Sequence, residues 1–347
     1  MKPLSNVERL DAIINGEQPD RIPVHDLACI TIAQVMGYMW KDVRYEPEKC
    51  AKITDEYNRL AGSDFCFGML ETPAMFKDLG MEITQPDDNY GSVMSVYYKK
   101  PEDVDRLELY DPMNPKESKW LRKGIIDKIL EYRKVNSTGA LTSGWSWGAV
   151  TTAGFLLGVE NLMMYTMTEP ELAMKAIEKA KSLTYDVMRA GQEGGECIWL
   201  PDPTASGSMM DIATFRDFVE APTSEIIHKW RKEFHVPIIY HICGDTIPIM
   251  PAIPATGLDI LSVDTIVDLK SAREIVGQTI SLMGNVNPIT TVWNGSNPEI
   301  IKAEAYKCIN AAGADGRFIL AAGCEVPKDT PIENIQALVM AAKSYRF

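Results

Sequence analysis

The run VPIIYHICGD, residues 236–245, ends an apolar stretch on a histidine and a cysteine two positions apart, His241 and Cys243. A strand has a side-chain period of two, so both side chains point to one face. Gly244 follows and lets the chain turn. A metal site needs a third ligand, and Cys324 is the candidate. It ends the last apolar run, FILAAGCEVP, with 80 residues between it and Cys243. If the sheet closes into a barrel, strands distant in sequence converge at one mouth. One imidazole and two thiolates suit Zn²⁺ with an open fourth position, which marks a catalytic zinc. Glu325 is a candidate for that fourth position before substrate arrives. Packing is the competing reading, because buried cysteine also serves as a small hydrophobe. An H-x-C pair alone leaves both readings open.

Other polar residues also end apolar runs. They are His25-Asp26, Glu71, Ser146, Asp202, Asp264 and Asn285. Glu71, Asp202 and Asp264 are candidate catalytic carboxylates, for proton handling, for substrate hydrogen bonds or for orienting His241. A ligating histidine usually donates its other N–H to an acceptor. Loop capping by a carboxylate is the alternative for each. His25 is a candidate substrate contact or a satisfied core histidine. Asn285 is a candidate substrate contact or a turn residue. Trp145 and Trp147 share one strand face, and with Phe67, Met69 and Trp199 they lie near strand ends. They suit an apolar or aromatic ligand, or the core. Cys29, Cys50, Cys66, Cys197 and Cys308 read as inert packing.

Elements must carry these residues to one place. Short apolar runs alternate with longer stretches of helical spacing. The expected strands are 22–27, 65–70, 140–147, 197–201, 237–243, 260–263, 281–285 and 318–322. Expected helices include 6–15, capped by Ser5 and stopped at Gly16, and 170–193, 212–234, 269–276 and 299–312. Strand–helix alternation implies parallel pairing. About eight such units suit an α/β fold of the (β/α)₈ TIM-barrel type, with chemistry at the C-terminal strand ends. A doubly wound sheet is the runner-up, weakened by the lack of a G-x-G-x-x-G after an early strand. The whole chain, 1–347, reads as one barrel domain. Residues 77–134 read as an insertion over the barrel mouth, a hairpin followed by helices.

Composition sets the outer limits. The 347 residues carry a formal charge of −13, which argues against a nucleic-acid partner. Hydrophobic residues make up 46%, enough for a sizeable core, yet no stretch is long and apolar enough for a membrane span. The polar start lacks the apolar core of a signal peptide. Seven cysteines, an odd number in a long chain, suit reduced thiols and a cytoplasmic location.

Nearly the whole chain resembles the uroporphyrinogen decarboxylase superfamily. The opening ERLDAIINGEQPDRIPV, residues 8–24, looks like its N-terminal segment, and MGNVNP, which holds Asn285, resembles its G-N-x-x-P strand end. Within it the chain looks most like the zinc-dependent corrinoid methyltransferases that act between methylcobalamin and coenzyme M. That branch has H-x-C on one strand and a later G-C, followed by Pro and an E-N helix. The matching positions are His241, Cys243, Cys324, Pro327 and Glu333-Asn334, and PDPTAS, residues 201–206, resembles the branch as well.

The resemblance implies a TIM barrel, a Zn²⁺ held by His241, Cys243 and Cys324, and methyl transfer between a small molecule and a corrinoid. The corrinoid (cobalamin) is expected on a separate protein, since no D-x-H-x-x-G corrinoid domain is present. It implies either methylation of a thiol by a methyl-corrinoid, or demethylation of a donor by cobalt(I). No cation is expected at the mouth, since Arg317 precedes the last strand. That tilts the expectation toward a donor such as a methoxylated aromatic in a demethylating system, with a coenzyme M-like thiol methyltransferase as the alternative. A decarboxylase-like carboxy-lyase fits less well, because RIPVHDLACITIAQ, residues 21–34, has no arginine after Arg21. A non-catalytic corrinoid-binding protein with a structural zinc is the third class.

Overall fold

A computed structural model describes residues 3–294 and 297–346. Eight parallel strands form the core: β1 Val24–His25, β2 Phe65–Cys66, β3 Leu141–Trp145, β4 Cys197–Pro201, β5 Ile238–Ile242, β6 Ile260–Val263, β7 Ser281–Val286 and β8 Phe318–Ala322. Their order is β1-β8-β7-β6-β5-β4-β3-β2. Every strand residue is buried, as a sheet covered by helices requires. The fold is the (β/α)₈ barrel. Among the described residues no helix is long and apolar enough to cross a membrane.

The barrel closes by a different device at one seam. No ladder among the described residues joins β1 to β2. Instead Asp64 N–H donates to the Val24 carbonyl at 2.9 Å, and the Asp64 carboxylate accepts the Val24 N–H at 3.0 Å. The Ser63 hydroxyl bridges the Asp26 N–H and the Val24 carbonyl. Arg21 grips Asp64 with two bonds, at 2.5 and 2.6 Å.

Local chemistry explains where elements start and stop. The helix Asn6–Asn15 has the expected bounds: Ser5 and Glu8 form a reciprocal capping box, and Gly16 takes the left-handed conformation. Arg317 donates to the Ile14 carbonyl beside it, at the end of the barrel away from the C-terminal strand ends. The first two strands are shorter than expected. Leu27 and Gly68 have positive φ, so the chain turns before either run is complete. The helix expected over 212–234 is Ile212–Phe215, a π turn Arg216–Glu220, then Ala221–Glu233. Pro222 has no N–H to continue the regular ladder there.

Between β2 and β3 the chain doubles back over residues 82–94. An antiparallel bridge pairs Ile83 with Val93, flanked by bonds from Thr84 N–H to the Ser92 carbonyl and from Met94 N–H to the Glu82 carbonyl. Helices Asp103–Arg106 and Asp127–Val135 come after it.

Candidate metal centre

His241 is on β5, Cys243 lies one residue past that strand, and Cys324 lies two past β8. The strands β6 and β7 stand between them, so it is barrel curvature that brings the three together. Their ligand atoms all lie within 4.8 Å of one another. His241 Nε2 is 3.2 Å from Cys243 Sγ, and the two sulfurs are 3.9 Å apart. Around a tetrahedral zinc with ordinary bond lengths, two sulfurs lie roughly 3.8 Å apart and a nitrogen and a sulfur roughly 3.6 Å. The donor set and its spacing therefore fit zinc. Gly323 is needed for the approach of Cys324, since a Cβ there would sit 2.4 Å from the Thr265 nitrogen.

The surroundings orient the ligands. Register pairs His241 with Ser262 on β6. The Ser262 hydroxyl lies 2.9 Å from His241 Nδ1, which leaves Nε2 to face the sulfurs. Trp199 stacks on the imidazole, with centroids 5.6 Å apart and planes 19° apart. The two thiols shift in opposite directions. The bond from Cys243, helped by His241, lowers Cys324 against the effect of burial, while the same bond and burial raise Cys243.

The three candidate ligand residues line a cavity of about 420 Å³. Its walls are aromatic: Phe67, Trp145, Trp147, Phe155, Trp199 and Tyr90. Trp145 and Trp147 meet edge to face at 5.1 Å, and Trp147 donates its indole N–H to the Thr72 carbonyl. Among the described residues no lysine or arginine lines the cavity.

The other expected site residues lie elsewhere, except Glu325. Its carboxylate lines the cavity but accepts the Ile30 N–H at 3.1 Å and the Tyr90 hydroxyl at 3.4 Å, outside the three-ligand cluster. Burial, and then the Cys324 charge, push it up to about 7. His25, Glu71, Asp202, Asp264 and Asn285 do not line the cavity. His25 is buried, stacked on Phe65, and accepts the Leu27 N–H. Glu71 is fully enclosed by Trp40, Arg44 and Gly91. Asp202 accepts the Thr151 N–H at 2.7 Å and the Tyr240 hydroxyl at 2.9 Å, and burial raises its carboxyl. Asp264 accepts the Gly244 N–H, so it fixes the turn beyond Cys243 rather than His241 itself. Asn285 donates to the Asp264 and Val267 carbonyls. Sequence reasoning missed Ser262, Tyr90 and Phe155. It also read Cys29 as inert; this thiol borders the cavity, though burial pushes it well up.

Residues 5–345 match the protein family described as Uroporphyrinogen decarboxylase (URO-D). The chain belongs to that family. Among its relatives in the uroporphyrinogen decarboxylase family is a methylated-thiol–coenzyme M methyltransferase of Methanosarcina mazei, 26% identical over 98% of this chain and 89% of that protein. Another is a methylcobamide:CoM methyltransferase, MtaA, of Methanosarcina barkeri, 28% identical over 97% of each. A solved structure described as a methyltransferase from Methanosarcina mazei superposes with a TM-score of 0.81, at 26% identity and 98% coverage of both chains. This member of the family thus keeps the uroporphyrinogen decarboxylase barrel, and these three relatives carry methyltransferase names.

Proposed function

We propose that this chain is a zinc-dependent methyltransferase. It moves a methyl group between a small molecule in the aromatic cavity and a corrinoid carried by a separate protein that meets the barrel mouth. The observation that carries this reading is one juxtaposition: His241, Cys243 and Cys324 have zinc-like spacing on the wall of a cavity of ligand size. When bound there, zinc supplies a Lewis acid that ionises a thiol or polarises an ether oxygen. Ser262 holds the tautomer of His241, and Trp199 braces its ring. The indoles of Trp145 and Trp147 exclude water and pack on the substrate. Seven unpaired cysteines favour a reducing compartment such as the cytoplasm.

The cavity favours an uncharged methyl donor such as a methoxylated aromatic, in a demethylating system. Its walls are aromatic, and a sulfonate or carboxylate would find no lysine or arginine on them among the described residues. A second reading, methylation of a coenzyme M-like thiol, is favoured by the names of the relatives. The carboxy-lyase reading lacks a cation for its substrate, because Arg21 is occupied by Asp64 at the barrel seam.

Reduced, zinc-loaded protein should be given two assays, each followed by cobalamin absorbance. One supplies cob(I)alamin with 2-methoxyphenol, and the other methylcobalamin with 2-mercaptoethanesulfonate. Transfer in one arm is expected, lost together with zinc in Cys324→Ala. Zinc-loaded protein that turns over in neither arm, with free or protein-bound corrinoid, would sink the reading.

A further inference from the structure

Glu71 is a buried carboxylate that this chemistry leaves unused. None of it is exposed, and it does not line the cavity, though its partner Gly91 does. Oε2 accepts the Trp40 indole N–H at 2.6 Å and the Arg44 Nε–H at 3.2 Å. Oε1 accepts the Gly91 N–H at 2.7 Å. Arg44 is itself only 6% exposed, and its Nη2 donates to the carbonyls of Pro86 and Asn89. One buried ion pair thus holds the backbone of residues 86–91 at three points.

This segment needs such an anchor. Its side chains from Thr84 to Asn89 are exposed, and its backbone is otherwise held by the Ile83–Val93 bridge with its two flanking bonds and by the Lys41 N–H, which donates to the Asp87 carbonyl at 2.9 Å. Its outer contacts are the surface ion pairs Lys41–Asp87 and Lys328–Asp88, which hold weakly in water. Gly91 passes so close to the anchor that a Cβ would lie 2.3 Å from the Thr84 carbonyl oxygen and 3.0 Å from Glu71 Oε1. The Glu71 backbone is fixed in turn, donating to the Gly124 carbonyl at 3.0 Å. The anchored stretch runs directly into the cavity wall, where Tyr90, Gly91, Ser92 and Val93 form part of the lining. Burying a charge is unfavourable unless it is paired and hydrogen-bonded, so an ion pair here has a geometric use.

We propose that Glu71, acting through Arg44 and Gly91, is a positioning residue that sets segment 86–93 against the cavity and so fixes the size of molecule the cavity accepts. This rests on the cavity being the substrate site of the proposed methyltransferase. The test uses the full zinc-loaded chain as wild type, Glu71→Gln, Arg44→Lys and Tyr90→Phe. Glu71→Gln keeps the side-chain shape and removes the charge.

Amide exchange over residues 84–93 should speed up about tenfold or more in Glu71→Gln and Arg44→Lys, with peptides of β5 and β8 and the zinc content unchanged. Tyr90→Phe should leave exchange in that segment as in wild type. With 2-methoxyphenol as the probe, KM should rise about tenfold while kcat stays within about twofold, and 2-ethoxyphenol should compete better than it does in wild type. Unaltered exchange over 84–93 overturns the proposal. So does faster exchange throughout the barrel, and so does a fall in kcat at constant KM, which would put Glu71 in the chemistry. If Glu71→Gln does not fold, Arg44→Lys and Gly91→Ala carry the same test. The exchange arm does not depend on turnover, so a wild type inactive in both assays, with the segment loosened in the variants, would refute the methyltransferase reading and leave the anchor standing.

Discussion

Ser262 shows how one hydroxyl can decide what a histidine does. Its oxygen lies 2.9 Å from His241 Nδ1 and keeps Nε2 aimed at the sulfurs. Removing such a partner typically weakens metal binding about 10- to 100-fold. Ser262→Ala is therefore expected to lose zinc affinity by that factor in chelator competition, with little change in the melting temperature of the metal-free protein. Unchanged affinity would mean that stacking on Trp199 alone holds the ring. The ligands and this partner differ in how far sequence reveals them. His241 and Cys243 are legible because a strand repeats every two residues. Cys324 is legible once closure of the sheet is assumed. Ser262 is hidden, because the residue opposite His241 depends on the register between β5 and β6, which no spacing within either strand encodes.

Strand-end loops explain why several polar residues looked like chemistry. Asp202 follows β4, and its carboxylate ties that loop to Thr151 on one side and to Tyr240 on the other. Asp202→Ala leaves a buried hydroxyl and a helix-start N–H without acceptors, a loss of about 2 to 3 kcal/mol. Urea denaturation should show that loss while zinc stoichiometry stays as in wild type. Undiminished stability with abolished turnover would return Asp202 to the chemistry. Sequence alone finds that strand ends are polar, because a loop there must satisfy its backbone whatever the residues do. It does not separate a carboxylate that faces the cavity from one that staples its rim. The same limit applies to 82–94: its turn-forming composition is visible, but its anchor, Glu71 with Arg44, spans residues far apart in the chain.

Across the whole barrel the alternation of strands and helices was readable, and β4, β6 and β8 have the expected bounds. The seam between β1 and β2 was not, because one backbone bond and the side chains of Ser63 and Asp64, rather than a ladder, join those strands. Asp64 is 3% exposed and holds Arg21 there. Asp64→Asn strands a partly buried guanidinium, so a loss of about 3 kcal/mol in urea denaturation is expected, with amide exchange rising first at Val24. If β1 stays protected and stability is unchanged, the seam is held by the hydroxyl of Ser63. The position of β8 between β7 and β1 has a consequence in time as well as in space. A ribosome makes the β5 ligands first and Cys324 some 80 residues later. Until β8 takes its place, the growing chain offers an incoming ion one imidazole and one thiol, a poor chelate. On the proposed zinc reading, metal loading would wait for the eighth strand, and protein made under zinc starvation should close its barrel first and fill the centre afterwards.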